Sequence, residues 1–166
     1  GNVTITSADV DGGSSDNCGS PTLGIDVSAF TCAMTGTNTV TLIGTDASGN
    51  ANMCTSTVTV MDTITPTAIC QNITIYLDGT GSATIVAADI DGGSSDNCGV
   101  ALTADISSFT CADTGANSVE LTVTDPSGNA GTCASTVTIL DTISPTVVCQ
   151  DITVYLDGTG NATIVA

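Results

Sequence analysis

Lysine, arginine, histidine and tryptophan are all missing from this sequence, and most of these absences close off a class of function. With no cationic side chain there is no clamp for a phosphoryl group, no partner for a nucleic-acid backbone and no attraction to an anionic membrane. Without His or Lys, a Ser or Cys nucleophile has no ordinary base. The chain is therefore not expected to be an enzyme. Carboxylate-only or metal-assisted hydrolysis is the sole route left, and no residue pattern marks a cleft for it. Apolar runs of about eighteen residues, the length of a membrane-spanning helix, are absent too. With only two Phe and two Tyr, any core must be built from Val, Ile, Leu and Ala. Thin cores of that kind usually need staples.

What is present is acid and sulfur. Seventeen acidic residues against no basic ones give a formal charge of −17, so no side-chain salt bridge can form. The carboxylates must be spread apart, protonated or neutralised by cations. Ca²⁺, which is hard, oxygen-seeking and abundant outside cells, is the natural candidate. Eight cysteines can supply covalent staples.

The sequence repeats. Asp11-Gly-Gly-Ser-Ser-Asp-Asn-Cys-Gly19 recurs 80 residues later as Asp91 to Gly99. Cys32, Cys54, Asp62 and Cys70 recur as Cys111, Cys133, Asp141 and Cys149, each 79 residues on. One extra residue therefore lies between Cys18 and Cys32, in a loop or strand end where an insertion costs least. Residues 141–166 match 62–87 at 20 of 26 positions, which makes them the opening of a further repeat. The expected organisation is a partial repeat over 1–61 that lacks its first strand, a complete repeat over 62–140, and the start of the next over 141–166. The chain reads as a window on a longer polymer of domains.

Within 62–140, short alternating runs are separated by turn chemistry at a spacing typical of a β-sandwich. Ile73, Ile75 and Leu77 mark a first strand, and Asp78-Gly-Thr-Gly81 a hairpin turn into Ala83, Ile85 and Ala87. Val119, Leu121 and Val123 lead through the turn Asp125-Pro-Ser-Gly-Asn129 to a last strand through Val137 and Ile139. No stretch has a helical period. The expected fold is all-β: tandem Ig-like antiparallel β-sandwich domains, stapled by disulfides and arranged end to end.

Four cysteines per repeat allow three connectivities. In an Ig-like sandwich the first and last strands start at the same pole, and Cys70 and Cys133 sit at those starts, which pairs them. Cys98 then pairs with Cys111, and Cys18 with Cys32 in the preceding repeat, leaving Cys54 and Cys149 to partners outside the sequence. A rival scheme pairs Cys54 with Cys70 and Cys133 with Cys149. It asks a cysteine at one strand's start to reach past the end of a strand about 20 Å long. With no His and no Cys-x-x-Cys spacing, a zinc site is not expected.

In order along the chain, Asp96-Asn-Cys-Gly99, Thr124-Asp-Pro-Ser-Gly-Asn-Ala130, Cys133-Ala-Ser-Thr-Val-Thr138 and Asp141-Thr-Ile-Ser-Pro-Thr146 resemble the motif set of the hyalin-repeat (HYR) module. The resemblance implies Ig-like sandwiches of extracellular proteins. Long arrays this poor in Lys and Arg look like the giant surface adhesins of Bacteroidota-type bacteria. An adhesion or stalk function is implied, with no ligand named. The chain departs from the family at two places. Many bacterial HYR repeats carry a cysteine near the first hairpin, where this chain has Leu77 to Gly81, and they have no counterpart of Cys111. The Cys98–Cys111 pairing is thus not a family feature.

The loop Asp89-Ile-Asp91-Gly-Gly-Ser-Ser-Asp96-Asn97 spaces carboxylates as a Ca²⁺ loop does, although no Glu closes it as in an EF-hand. In the expected topology it shares a pole with the turn Asp125 to Asn129 and with the linker at Asp62. Asp62, Asp89, Asp91, Asp96, Asp125 and Asn129 are therefore candidate Ca²⁺ ligands at the joint. Their equivalents are Asp9, Asp11, Asp16, Asp46, Asn50 and Asp141. Asx-turns alone would explain such residues, but the want of any basic residue favours the cation. Asp62-Thr63-Ile64 and Asp141-Thr142-Ile143 resemble the O-glycosylation pattern of Bacteroidota-type secreted proteins, which marks Thr63 and Thr142. Asn2, Asn72 and Asn161 stand in Asn-x-Thr sequons and read as outward strand positions. Outward threonines such as Thr57, Thr59, Thr136 and Thr138 are good exposed strand residues before they are a binding surface. Tyr76 and Tyr155, one ring per repeat, suit packing better than sugar stacking.

The expected function is structural. Rigid units joined by the short linkers around Pro66 and Pro145, which restrict the residue before them, build the stalk or filament of an extracellular, cell-surface adhesin. Expected partners are neighbouring repeats, other copies in a filament, and an unidentified surface or glycan. Nucleic acid and membrane insertion are not expected. The alternative is a module that binds a surface or glycan directly and acts by multivalency.

Overall fold

A computed structural model describes residues 1–164, so Val165 and Ala166 of the third segment lie outside the described residues. The elements are β1 (Asn2–Thr4), α1 (Ser7–Val10), β2 (Thr22–Ile25), β3 (Ala29–Thr31), β4 (Gly36–Thr45), β5 (Ala51–Val60), β6 (Ile73–Tyr76), β7 (Ser82–Thr84), β8 (Ala101–Ala104), β9 (Ser108–Thr110), β10 (Gly115–Thr124) and β11 (Ala130–Leu140). Short 3₁₀ turns sit at Cys32–Met34, Ala87–Ile90 and Cys111–Asp113. The protein is β-rich, and no helix among the described residues is long and apolar enough to cross a membrane.

Residues 73–140 form a four-stranded sheet in the order β6-β11-β10-β8 and a two-stranded sheet β7-β9. The β10–β11 hairpin carries the core because its alternation is the cleanest: Val119, Leu121, Val123, Val137 and Ile139 are fully buried. Leu77, Ile85, Ile90 and Phe109 join them from the other elements. The hairpin closes on Asp125. Its Oδ1 accepts from the N–H groups of Ser127 and Asn129, both at 2.8 Å. Gly128, with φ +91°, supplies the left-handed residue that the turn needs.

Two expectations are corrected. The pairing is not antiparallel throughout, because β6 runs parallel to β11, with Val137 opposite Ile73 and Leu140 opposite Tyr76. Nor does the Asp78 turn close a ladder between its flanking strands. It is formed as expected, with Asp78 N–H donating to Ser82 O at 2.9 Å, but it hands the chain from one sheet to the other, where β7 pairs with β9. Leu77 and Ile85, on either side of the turn, both enter the core, and crossing between sheets lets both do so. Single helical turns also escaped the periodicity reading, being too short to show a period. The carboxylates of Asp9 and Asp89 hold two of them, accepting from the N–H groups of Thr6 (2.7 Å) and Val86 (2.8 Å).

Residues 1–61 repeat this plan in a reduced form: β2-β4-β5 stands for β8-β10-β11, and β1-β3 for β7-β9. Among the described residues no strand lies beside β5 as β6 lies beside β11. Only Phe30, Val40 and Leu42 are buried among the large apolar residues there, while Met53 on β5 is 68% exposed.

A disulfide and carboxylate site at the joint between repeats

Cys70 bonds Cys133, with Cα atoms 5.8 Å apart, as the shared pole of the two strand starts requires. Cys98 does not bond Cys111, nor does Cys18 bond Cys32. Instead Cys32 bonds Cys98 across the joint, with Cα atoms 5.4 Å apart. Cys18, Cys54, Cys111 and Cys149 are exposed thiols, so neither pair of the rival scheme forms.

Strand direction explains the correction. The start of β4 pairs with the end of β5, Gly36 opposite Val60. Cys32, just before β4, therefore lies at the pole from which the chain leaves for the next repeat. The loop holding Cys98 lies at the incoming pole, tied to the linker by Thr67 N–H to Ser95 O and Gly92 N–H to Ile69 O, both 2.8 Å. The Cys98-type and Cys111-type cysteines of one repeat thus sit at opposite poles. Only the approach of two repeats brings one of each together. That signal was in the sequence, since Cys111 precedes the strand whose start faces the end of the last one.

Asp62, in the linker, lies beside this bond. Its Oδ1 accepts from Ile64 N–H at 3.2 Å, its backbone oxygen accepts from Asn129 Nδ2 at 3.1 Å, and its Oδ2 is buried with no hydrogen-bond partner. An Asp96 carboxylate oxygen and Cys98 Sγ lie within 4.8 Å of an Asp62 carboxylate oxygen. Because Cys98 is disulfide-bonded, the usable pair is Asp62 and Asp96. With its amide turned to satisfy its neighbours, Asn97 donates to both Asp96 oxygens, at 3.0 and 3.1 Å. A cleft of about 250 Å³, lined by residues including Phe30, Met61, Ile64 and Asn97, opens beside them.

The three acidic elements expected to converge do so, but not every candidate ligand takes part. Asn129 bridges the linker to Asp125, donating to Asp125 Oδ2 at 2.7 Å, which leaves the Asp125 carboxylate occupied by its own turn. Asp89 is occupied as the cap already described. Asp91 accepts from Ser94 N–H at 2.9 Å, outside the Asp62–Asp96 pair. In the first repeat Asp11 accepts from Ser14 N–H (2.9 Å), Asp16 from Cys18 N–H (2.8 Å) and Asp46 from the N–H of Asn50 (2.8 Å). Asp141 accepts from Ile143 N–H at 3.0 Å. Among the described residues no second group of metal-ligating side chains gathers around these equivalents.

Hydrogen bonding keeps the turn carboxylates ionised. The side chain and then the backbone of Asn50 hold Asp46 below its ordinary value, and Ser94 does the same for Asp91. At Asp125 burial is the largest single influence and pushes upward, yet the combined bonds from Asn129 and Ser127 leave it lowered. Thr63 and Thr142 are exposed, as are Thr57, Thr59 and Thr136. Tyr76 is 59% exposed on β6. The Asn72 side chain accepts from Thr136 N–H at 2.8 Å, which gives that sequon residue a role in seating β6 beside β11. No protein-family model and no curated protein matches the chain.

Proposed function

We propose that the chain is a stretch of an extracellular stalk or filament of the adhesin type, in which Ig-like, HYR-like repeats stand end to end. The observation that carries this reading is the Cys32–Cys98 bond. A bond between repeats, beside a short linker, fixes orientation and adds nothing to either core. Pro66 is buried against Gly131, where an added Cβ would lie 2.5 Å from Pro66 O, so the linker is packed onto the repeat it enters. Disulfides suit an oxidising environment outside the cell.

A stalk and a binding array differ in how they respond to repeat number. In a longer array on a cell or bead, deleting units shortens the reach of a stalk in proportion and leaves attachment per chain unchanged. Attachment that weakens steeply with each deleted unit supports direct surface or glycan binding through the exposed threonines instead.

Ca²⁺ completes the joint in this reading. The supporting observations are the buried, unpartnered Asp62 Oδ2 and the nearness of Asp96. An isolated buried acceptor is costly, and two adjacent carboxylates repel. A hard cation between them relieves both, with water and backbone oxygens filling its shell. At millimolar Ca²⁺, an affinity typical of extracellular modules stabilises by about 1 kcal/mol. Ca²⁺ is expected to raise the melting temperature, EGTA to reverse the rise, and Asp62→Asn to abolish the difference. Unchanged melting would remove the ion and leave the covalent joint standing. Thr63 and Thr142 remain the proposed O-glycosylation sites, which an intact mass above the sequence mass would support.

A further inference from the structure

We infer that the Cys32–Cys98 disulfide and the Asp62–Asp96 carboxylate pair are two coupled links across one gap: Ca²⁺ held by the carboxylates favours closing of the disulfide, and the closed disulfide tightens the hold on Ca²⁺. The inference rests on the cation reading above and adds to it a control by redox state.

Each link takes one end from each side of the joint. On the first side the end of β5 pairs with the start of β4, Val60 opposite Gly36. Asp62 stands two residues beyond that pair on one strand and Cys32 four residues before it on the other. One hairpin end therefore positions both. The Thr35 hydroxyl fixes the turn that holds Cys32, donating to Cys32 O at 2.7 Å.

On the second side, Asp96 Oδ2 accepts from Cys98 N–H at 2.7 Å, so this carboxylate and this sulfur belong to one turn. Asp16 holds Cys18 N–H in the same way, at 2.8 Å, which shows that the turn forms from its local sequence without the disulfide. A bridge between Ser95 and Thr67 seats it on the second repeat. Moving the turn away from the hairpin end would part Asp96 from Asp62 and Cys98 from Cys32 together.

The spacing suits an ion without any rearrangement. A carboxylate oxygen of Asp62, one of Asp96 and Cys98 Sγ all lie within 4.8 Å of one another. Ca²⁺ stands about 2.3–2.6 Å from its oxygens, so one ion bridges oxygens up to about 5 Å apart. Asp62 Oδ2 is shut off from solvent and has no hydrogen-bond partner. Asn129 meets Asp62 at the backbone oxygen, 3.1 Å away, and so does not answer that atom. Asp96 Oδ1 accepts from Asn97 and has a second lone pair to offer.

Coupling follows from the shared gap. Without an ion the two carboxylates repel at the place where Cys98 must meet Cys32, and the chain has no cationic side chain to offset this. With an ion the repulsion becomes attraction, and the hairpin end and the turn are held together. The second link then forms inside an assembled joint, at a raised effective concentration. Thermodynamic linkage makes the effect equal in both directions. The Cys70–Cys133 bond closes within one repeat and does not cross the gap, so it should not respond. A chain that meets oxidant and millimolar Ca²⁺ together outside the cell thus locks its joints there.

The bond forms by thiol–disulfide exchange with oxidised glutathione. The Cys32 thiolate attacks one sulfur of the glutathione disulfide and releases one glutathione thiolate. The Cys98 thiolate then attacks the mixed disulfide at the Cys32 sulfur and releases the second. Two protein thiols are oxidised, one glutathione disulfide is reduced to two thiols, and the protein's two protons pass to the released thiolates.

To test the coupling, the four exposed thiols are alkylated and the protein is equilibrated in glutathione buffers of matched ionic strength, with millimolar Ca²⁺ or with EGTA. Quenching with N-ethylmaleimide and cleavage at Asp give the oxidised fraction of each bond. Ca²⁺ is expected to raise the effective concentration of the Cys32–Cys98 pair about tenfold and to leave that of Cys70–Cys133 unchanged. Asp62→Asn should remove the rise. The converse arm involves no joint thiol. Ca²⁺ is titrated into ¹⁵N-labelled protein while the amide signals of Asp62 and Asp96 are followed, and the affinity should be about tenfold weaker in the Cys32→Ser, Cys98→Ser variant than in the bonded chain. Equal affinities, with a joint bond indifferent to Ca²⁺, would overturn the coupling and leave the cation reading standing. A rise that survives in Asp62→Asn would overturn it as well, by showing general screening of a strongly acidic chain. Amide signals that ignore Ca²⁺ in both proteins would overturn the coupling and the cation reading together.

Discussion

Replacing Cys70 and Cys133 together by serine should lower the stability of the second repeat by about 4 kcal/mol. The bond spans 63 residues and ties the segment entering β6 to β11, on the flank where the first repeat lies open. Loop-closure entropy of that size weighs heavily because the core it supports is small. Phe109 is the only buried aromatic in the repeat, and the rest of the buried cluster is aliphatic. A domain of about 80 residues has only about 5–10 kcal/mol to lose. The expected drop in melting temperature is about 20 °C, read by calorimetry on the oxidised protein and its double variant. The fall should be confined to the transition of the second repeat. A shift of only a few degrees would mean that β6 is held by its ladder and by Leu77, with little help from the sulfur.

Cutting the other bond should act differently. Replacing Cys32 and Cys98 with serine removes a link between two repeats whose cores share no strand, so each should melt nearly as before. Their mutual orientation should not survive. The remaining joint contacts are few: Gly1 N donates to Asn97 O at 2.6 Å between the two repeats, and Asn129 holds the linker at Asp62 onto the second repeat. Against them stands the repulsion of Asp62 and Asp96, about 1–3 kcal/mol at such a separation depending on the effective dielectric. With no basic residue anywhere in the chain, no cationic side chain offsets that term. Small-angle scattering should show one extended shape giving way to a spread of shapes in the variant. An unchanged profile would place the rigidity in the linker itself.

Much of this was readable from the residues. Alternation at Val119 to Val123 placed the central hairpin, Asp-x-Ser-Gly-Asn marked its turn, and strand direction paired Cys70 with Cys133. The misreadings share a cause, which is that sequence periodicity speaks of a strand's faces and not of its neighbours. Ile73 to Leu77 reads as a strand whichever sheet it enters, so its parallel place beside β11 was hidden. Cys98 and Cys111 are what the Cys70–Cys133 pairing leaves within the repeat, but the strands between them carry one to each pole. For the candidate cation site, Asp62 and Asp96 were found among six residues of similar appearance. What separates Asp62 is an unanswered oxygen: Asp89, Asp91, Asp96 and Asp125 all accept from backbone donors in their own turns, whereas Asp62 keeps a buried oxygen that nothing answers.

The central claim is that oxidised repeats hold one orientation. It is tested most directly by a distance distribution between spin labels on unnatural residues at Ala47 and Pro126, exposed turn positions in the two repeats. A single narrow peak, persisting in the oxidised protein and broadening when Cys32–Cys98 is reduced, is the predicted result. A broad distribution in the fully oxidised chain, no wider after reduction, would contradict it.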